Sequence, residues 1–262
     1  MKIITLLTDF TETDGYVGIM KGVILGLAPA ARIVDLSHDM PPQNVLQAAL
    51  TLGRCAPYFP EGTIHVGVID PGVGTERRGM AARIGRQYFV GPDNGLCTRL
   101  IQDAKEKNEP MEMFSLDTPD YQLPEVSRSF HGRDVFAPAA AHLAAGAELA
   151  SFGEPITDPV LLEIPEPRPT AKGWEGEVLY ADAFGNLTVN IRREQLADAG
   201  RVDILIKGRN IPGIRDTFGE GEPGELAAII DSFGFLSICI VNGSAAERLD
   251  ASAGEPVAVS IK

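Results

Sequence analysis

Thr63-Ile64-His65-Val66-Gly67-Val68-Ile69-Asp70-Pro71-Gly72 decides how the first half of this chain folds. The run Thr63 to Ile69 is β-branched and apolar apart from His65, the pattern of a buried strand, and Asp70-Pro71-Gly72 stops it with turn chemistry. Asp70 then stands at the carboxyl end of a strand. Ligands of open α/β sheets bind along that edge, and a strand end holds a carboxylate more rigidly than a loop does. The competing reading is a turn aspartate paired with Arg77 or Arg78 on the surface, since Asp-Pro-Gly is an ordinary turn sequence.

Outward from that strand, apolar runs (Ile3 to Leu7, Arg32 to Leu36, Tyr88 to Val90) alternate with helical patterns (Tyr16 to Leu27, Val45 to Cys55, Gly95 to Lys107, Arg133 to Ala145). Alternation of this kind predicts an α/β domain over residues 1–163 with a largely parallel sheet. Ile164-Pro165-Glu166-Pro167-Arg168-Pro169 sets three prolines in six residues. Such a stretch cannot be helix or central strand, so residues 164–172 read as an extended linker. Beyond it, short strand-like runs (Gly176 to Tyr180, Leu187 to Ile191, Asp203 to Ile206, Leu226 to Ile230, Leu236 to Val241, Pro256 to Ile261) are separated by Gly, Asn, Asp and Pro. Residues 173–262 are therefore expected to form a smaller β-barrel domain.

Composition excludes several classes. The 262 residues are 44% apolar, enough for a real core, and no apolar run is long enough to span a bilayer. The amino-terminal residues turn acidic at Asp9 before a signal-peptide core could form, and the expectation is a cytoplasmic protein with no membrane partner. Cys55, Cys97 and Cys239 are odd in number and widely spaced, which argues against both a disulfide framework and a thiolate metal site. A net charge of −13 with no concentrated basic face makes nucleic acid an unsuitable partner.

Further constellations carry chemistry. Asp9 follows the first strand, where a carboxylate can accept hydrogen bonds from both hydroxyls of a ribose, and Asp14 precedes a helix and reads equally well as its N-cap. Asp9, Asp14 and Asp70 could alternatively hold a hard cation, although no regular ligand spacing appears. Gly91-Pro92-Asp93-Asn94-Gly95 resembles a phosphate loop only superficially; it is a turn followed by a helix. His131, in Ser129-Phe130-His131-Gly132-Arg133-Asp134, is the one histidine of four in a polar, glycine-loosened loop, and is the candidate acid or base unless it serves only to bond a backbone carbonyl. Asp182-Ala183-Phe184-Gly185-Asn186 ends a strand with an acid, an aromatic and an amide, a set that can stack on a base and hold an amine, or simply make a turn.

Taken in order, these motifs form a set. Asp9-Phe10 with Asp14 to Gly22, Asp70 to Arg77, Gly91 to Gly95, Phe130 to Asp134, Asp182 to Leu187 and Val241-Asn242-Gly243 closely resemble the S-adenosyl-L-methionine hydrolases, the hydroxide adenosyltransferase family related to the fluorinase and chlorinase. The resemblance spans essentially the whole chain. It implies hydrolysis of S-adenosyl-L-methionine to adenosine and L-methionine by water attacking ribose C5′, with no cofactor and no metal. It further implies a homotrimer with sites at subunit interfaces, between the amino-terminal domain of one subunit and the carboxy-terminal domain of its neighbour. The family's catalytic Asp, Arg and His fall on Asp70, Arg77 and His131, and its ribose acid on Asp9. Its methionine-end contacts fall on Asp14, Asp182 and Ser232, and its adenine contacts on Phe184, Asn186 and the backbone around Val241 and Asn242.

Departures from the halogenases point to water. Those enzymes carry Tyr where Asp70 stands, and the fluorinase has Ser where Gly132 stands and a longer insertion before Gly91. A carboxylate repels a halide but can orient or deprotonate water. The sulfonium leaves as a neutral thioether and needs no general acid. Water, with a pKa of about 15.7, is the reactant that needs activation. Two other readings remain at this point: a metal-dependent nucleotidase or phosphatase using Asp9, Asp14 and Asp70, and a non-catalytic adenosyl-ligand sensor.

Overall fold

The computed structural model describes residues 2–197 and 200–262. The described chain divides into two compact units, Met1–Leu162 and Glu163–Lys262.

The first unit is an α/β/α sandwich. Strands β1 (Ile3–Thr8), β2 (Arg32–Ser37) and β3 (Ile64–Val68) alternate with helices α1 (Tyr16–Leu27) and α2 (Val45–Cys55). Then come β4 (Gly79–Ile84), β5 (Gln87–Pro92), helix α3 (Thr98–Glu106), β6 (Met111–Ser115) and helix α4 (Ala137–Ala145). The strand order is β2-β1-β3-β5-β4-β6. The β2, β1, β3 and β5 neighbours pair in parallel, whereas β4 is antiparallel to both β5 and β6. Alternate side chains serve the two faces. Ile4 and Leu6 join Val17, Met20 and Ile24 of α1 and the alanines of α4 in one core, while Leu7 joins Ala48 and Leu52 of α2 and Ile101 of α3 in another.

The sequence reading of the parallel strands and helices matches this sheet, with differences at the edge. Strands β4 and β6 add to the sequence reading: Gly-Met-Ala-Ala-Arg-Ile and Met-Glu-Met-Phe-Ser carry little β-branched character. Strand β4 is held between β5 and β6, an arrangement that leaves Met80, Ala81 and Ala82 completely buried, and β6 forms by pairing with β4. Asp14 does not cap α1: the N-cap is Gly15, left-handed at φ 74°, with no side-chain cap.

The second unit is an antiparallel, nearly closed barrel in which the strands run in the order β11-β10-β14-β8-β9-β13-β12. These are β8 (Gly173–Ala181), β9 (Leu187–Arg192), β10 (Val202–Ile206), β11 (Arg209–Pro212), β12 (Leu226–Ile230), β13 (Phe235–Ile240) and β14 (Pro256–Ile261). The Arg215 N–H donates to the Ala228 carbonyl at 2.8 Å, which draws the two ends of the sheet together. Within the proline-rich stretch read as a linker, Arg168–Thr170 forms a short strand, β7, against the start of β8. Pro169 is tolerated there because, among the described residues, β7 pairs with β8 on one side and no second strand requires its missing N–H. The barrel interior is filled by alternating residues such as Val189, Ile191, Ile204, Ile238 and Val257. A single-turn helix, α5 (Ala245–Leu249), follows β13.

Candidate active site

Topology places the first unit's acids. From β1 the chain crosses to β2 on one side, and from β2 it passes back over to β3 on the other side of β1. The switch point therefore lies between the carboxyl ends of β1 and β3, which is where open α/β sheets open a binding crevice. Asp9 directly follows β1, and Asp70 lies two residues beyond β3.

Asp70, Arg77 and His131 form one hydrogen-bonded chain. The Arg77 guanidinium donates from Nε to Asp70 Oδ1 at 3.0 Å and from Nη2 to Asp70 Oδ2 at 2.5 Å. The same Nη2 lies 3.0 Å from His131 Nδ1. Since the guanidinium has no lone pair, Nδ1 accepts and the neutral ring carries its proton on Nε2. The Arg77 and Asp70 side chains are 10% and 5% exposed, so this pair is not the surface ion pair that the turn reading allowed. Arg77 and His131 both pack on the buried ring of Phe136, with the guanidinium carbon 5.3 Å from its centroid.

His131 opens a π-helical turn, Gly132–Phe136, that runs into α4. Turns of this type often mark functional positions. Asp134, fully buried, fixes the turn: it accepts from Arg133 and from the Ser127 N–H at 2.9 Å. Burial pushes its carboxyl up, but those donors outweigh burial and hold it below the usual carboxylate range. Burial and then the positive charge of Arg77 lower the His131 pKa, against the opposing pull of Asp70 and Asp134. The ring is thereby kept neutral beside a cation.

A triangle of rings ties the two loops that flank this chain. Phe10, Tyr16 and Phe130 stand with centroids 5.8, 5.9 and 5.1 Å apart, joining the residue after Asp9, the start of α1 and the residue before His131. Asp9 uses Oδ2 to accept from the Gln43 N–H at 2.8 Å, leaving Oδ1 for another donor. Asp14 is exposed two residues before α1. His38 and His65, by contrast, are buried against Thr8 and Thr5, and burial drives the His65 pKa down to about 4. Asp9, Asp14 and Asp70 do not converge: among the described residues no group of three or more His, Cys, Asp or Glu side chains is placed to hold a metal ion. Cys55, Cys97 and Cys239 are free.

In the second unit, Asp182 organises the turn after β8. Its Oδ1 accepts from the N–H groups of Phe184 and Asn186, and its Oδ2 from Asn186 Nδ2. Gly185 takes φ 79°, and a Cβ there would stand 2.1 Å from Ser244 Oγ. The fold leaves Phe184 79% exposed. Phe184, Asn186, Val241 and Asn242 line one open concavity of about 690 Å³, joined by Phe218 and Pro223, which sequence reasoning missed. Asn242 sits there in the left-handed region, at φ 55°. Ser232 lies away from that concavity, exposed in a second turn of the same design, where Asp231 Oδ1 accepts from the N–H groups of Phe233 and Phe235.

Comparison with known proteins agrees with both halves. Residues 4–153 match the SAM hydroxide adenosyltransferase N-terminal domain, and residues 176–258 match the C-terminal domain. The chain belongs to the SAM hydroxide adenosyltransferase family. Among its members, an (R)-S-adenosyl-L-methionine hydrolase from Thermus thermophilus is 40% identical over 98% of this chain and 99% of its own length. Another from Salinispora tropica is 37% identical over 98% and 97%. An uncharacterized conserved protein from Thermotoga maritima, known by crystal structure, shares the fold with a TM-score of 0.89 and 32% identity, covering 98% of this chain and 99% of that one. The hydroxide adenosyltransferase set of motifs runs through both matched regions.

Proposed function

We propose that this protein is an S-adenosyl-L-methionine hydrolase, releasing adenosine and L-methionine, in which Asp70, Arg77 and His131 activate the attacking water. The observation that carries the reading is the continuous Asp70–Arg77–His131 chain at the carboxyl edge of the sheet, with its ion pair largely shielded from water. A buried ion pair is a poor way to gain stability, because desolvation offsets the attraction, so its placement beside a binding crevice favours function.

The chemistry follows from the geometry. Arg77 occupies one lone pair on each Asp70 oxygen, which leaves the others to accept an O–H from water and aim its oxygen. The fixed charge of Arg77 favours the hydroxide that forms as the proton moves onto the carboxylate. His131, neutral and held by Arg77, keeps the guanidinium in place and contributes no second cation. As hydroxide approaches C5′, its charge and that of the sulfonium cancel, and a pocket with few waters favours that neutralisation over the separated ions. Methionine departs as a thioether.

Substrate binding is assigned to both units: Asp9 to the ribose hydroxyls, Asp14, Asp182 and Ser232 to the methionine end, and Phe184, Asn186, Val241 and Asn242 to adenine. The concavity lined by Phe184 supports the last assignment, since an exposed ring offers a base a stacking face. We also propose a homotrimer in which these two sets meet across subunits. Supporting it, α1 exposes Tyr16, Ile19, Leu25 and Leu27, and a Cβ on Gly18, Gly22 or Gly26 would meet nothing within 4 Å. An apolar, flat helix face of this kind is suited to burial against another copy. The free thiols suit a reducing compartment such as the cytoplasm.

The test is chromatography of the protein incubated with S-adenosyl-L-methionine in chelator and chloride. Adenosine with methionine is expected. 5′-Chloro-5′-deoxyadenosine would overturn the choice of water over halide, activity lost in chelator would favour a metal enzyme, and bound but intact substrate would favour a sensor.

A further inference from the structure

Gly91-Pro92-Asp93-Asn94-Gly95 is the motif to which the reaction assigns nothing. It lies at the end of β5, between the two chains that frame residues 69–78: β5 runs parallel to β3, which leads into that loop, and antiparallel to β4, which leaves it. Gly91 permits the approach, because a Cβ there would stand 2.4 Å from the Gly67 carbonyl oxygen of β3.

The next two side chains each grip one end of the loop. Asn94 Nδ2 donates to the Ile69 carbonyl at 2.8 Å, in the peptide that joins Ile69 to Asp70. Asn94 is itself oriented by the Leu96 N–H, which donates to its Oδ1 at 3.3 Å. Asp93, 4% exposed, accepts through Oδ2 from Arg78 Nε at 3.0 Å and Arg78 Nη2 at 2.7 Å, on the residue immediately after Arg77. Its own N–H donates to the Arg78 carbonyl at 2.9 Å, and its Oδ1 accepts from the Val160 N–H at 2.9 Å. Both grips therefore fall one residue away from the members of the Asp70–Arg77 pair.

We propose that Asp93 and Asn94 are positioning residues for this reaction: adjacent side chains that clamp the two ends of residues 69–78 and so set Asp70 against Arg77 in the two-pronged geometry water activation requires. This rests on the hydrolase reading of Asp70 and Arg77. Neither residue touches the reacting atoms. A displacement of about 1 Å in a reacting group can cost roughly a hundredfold in rate, so two fixed anchors for a ten-residue loop have a catalytic consequence beyond holding strands together.

The test uses the full chain as wild type, Asn94→Ala and Asp93→Asn; the second variant keeps the side-chain shape if the first folds poorly. Turnover of S-adenosyl-L-methionine, the thermal midpoint, and the titration of the His131 imidazole by nuclear magnetic resonance are measured on each. The expected result is a kcat lowered about 10- to 100-fold with KM within about threefold of wild type. His131 is expected to titrate higher than in wild type, because Arg77, one of the causes that depress it, is no longer held at its Nδ1 while Asp70 and Asp134 remain. A kcat within about twofold of wild type, or a loss that merely follows the thermal midpoint, with His131 unmoved, would overturn the proposal. Should the wild type leave the substrate intact, the hydrolase reading fails, yet the titration still decides the clamp: an upward shift supports it and an unmoved His131 rejects it.

Discussion

Arg77 and Arg78 are neighbours, and each grips an aspartate with two nitrogens, yet the two pairs differ in what is left over. Arg78 shares its guanidinium between Asp93 and Asp158, and Asp93 spends its other oxygen on the Val160 N–H. Asp93 thus accepts three hydrogen bonds within the fold, against two for Asp70, and its side chain is closed off from solvent. Arg77 binds Asp70 and then reaches His131, while the carboxylate retains lone pairs at the edge of a binding crevice. Identical side-chain chemistry thus yields a structural bolt or, in the hydrolase reading proposed for Arg77, a reactive set, according to how much capacity for a further hydrogen bond remains and where it points.

Substitutions can break that contrast. The largest effect is expected at the Arg77 pair: Asp70→Ala or Arg77→Ala should lower kcat by roughly 100-fold or more, with smaller changes in KM and thermal midpoint. Wild-type turnover in either purified variant would erase the distinction. Asp93→Ala acts on the other pair, leaving the Val160 N–H and the Arg78 guanidinium short of a partner, and should cost about 1–3 kcal/mol in chemical denaturation. Stability equal to wild type would show that the bolt is dispensable.

The concavity proposed for adenine offers a third point of reference. Phe184→Ala should raise KM about tenfold with kcat nearly preserved, since base stacking on an aromatic ring contributes on the order of 1–3 kcal/mol. Loss of kcat at constant KM would instead move Phe184 into the reaction. The pH profile sharpens the Arg77 side again. His131 is held below the ordinary histidine value, so it gains a proton only in more acid solution, and there a second cation beside Arg77 should reduce kcat. The acid limb of kcat should therefore lie below the usual histidine range and disappear in His131→Asn, whatever the residual rate. The smallest effect is expected at Asp158→Asn, on a largely exposed partner of Arg78, where activity assays should not separate variant from wild type.

The first unit was legible because its signals are local. Buried strands such as residues 63–69 and helices such as Val45–Cys55, opened by an Asn44 side chain that accepts from the Gln47 N–H, declare themselves by hydrophobic period and caps. Strands β4 and β6 lack such a signal: neither carries a run of β-branched residues, and each becomes a strand through pairing with a neighbour. In the second unit the Asp182 and Asp231 turns obey the same local rules, and their shared hydrogen bonding emerged only with the backbone in place.

The sequence by itself determined the fold class, the strand-end aspartates at positions 9 and 70, the polar loop around His131 and, through the order of its motifs, the family. Tertiary structure decided the rest: that Arg77 and not Arg78 takes Asp70, that His131 completes the chain from 54 residues away, and that Asp93 and Asn94 face backward onto the loop. The physical reason is range. Periodicity, turns and caps are fixed by neighbours along the chain, whereas the partner of a charged side chain is chosen by the crossing of strands that brings distant residues within 3 Å, and no local pattern encodes that choice.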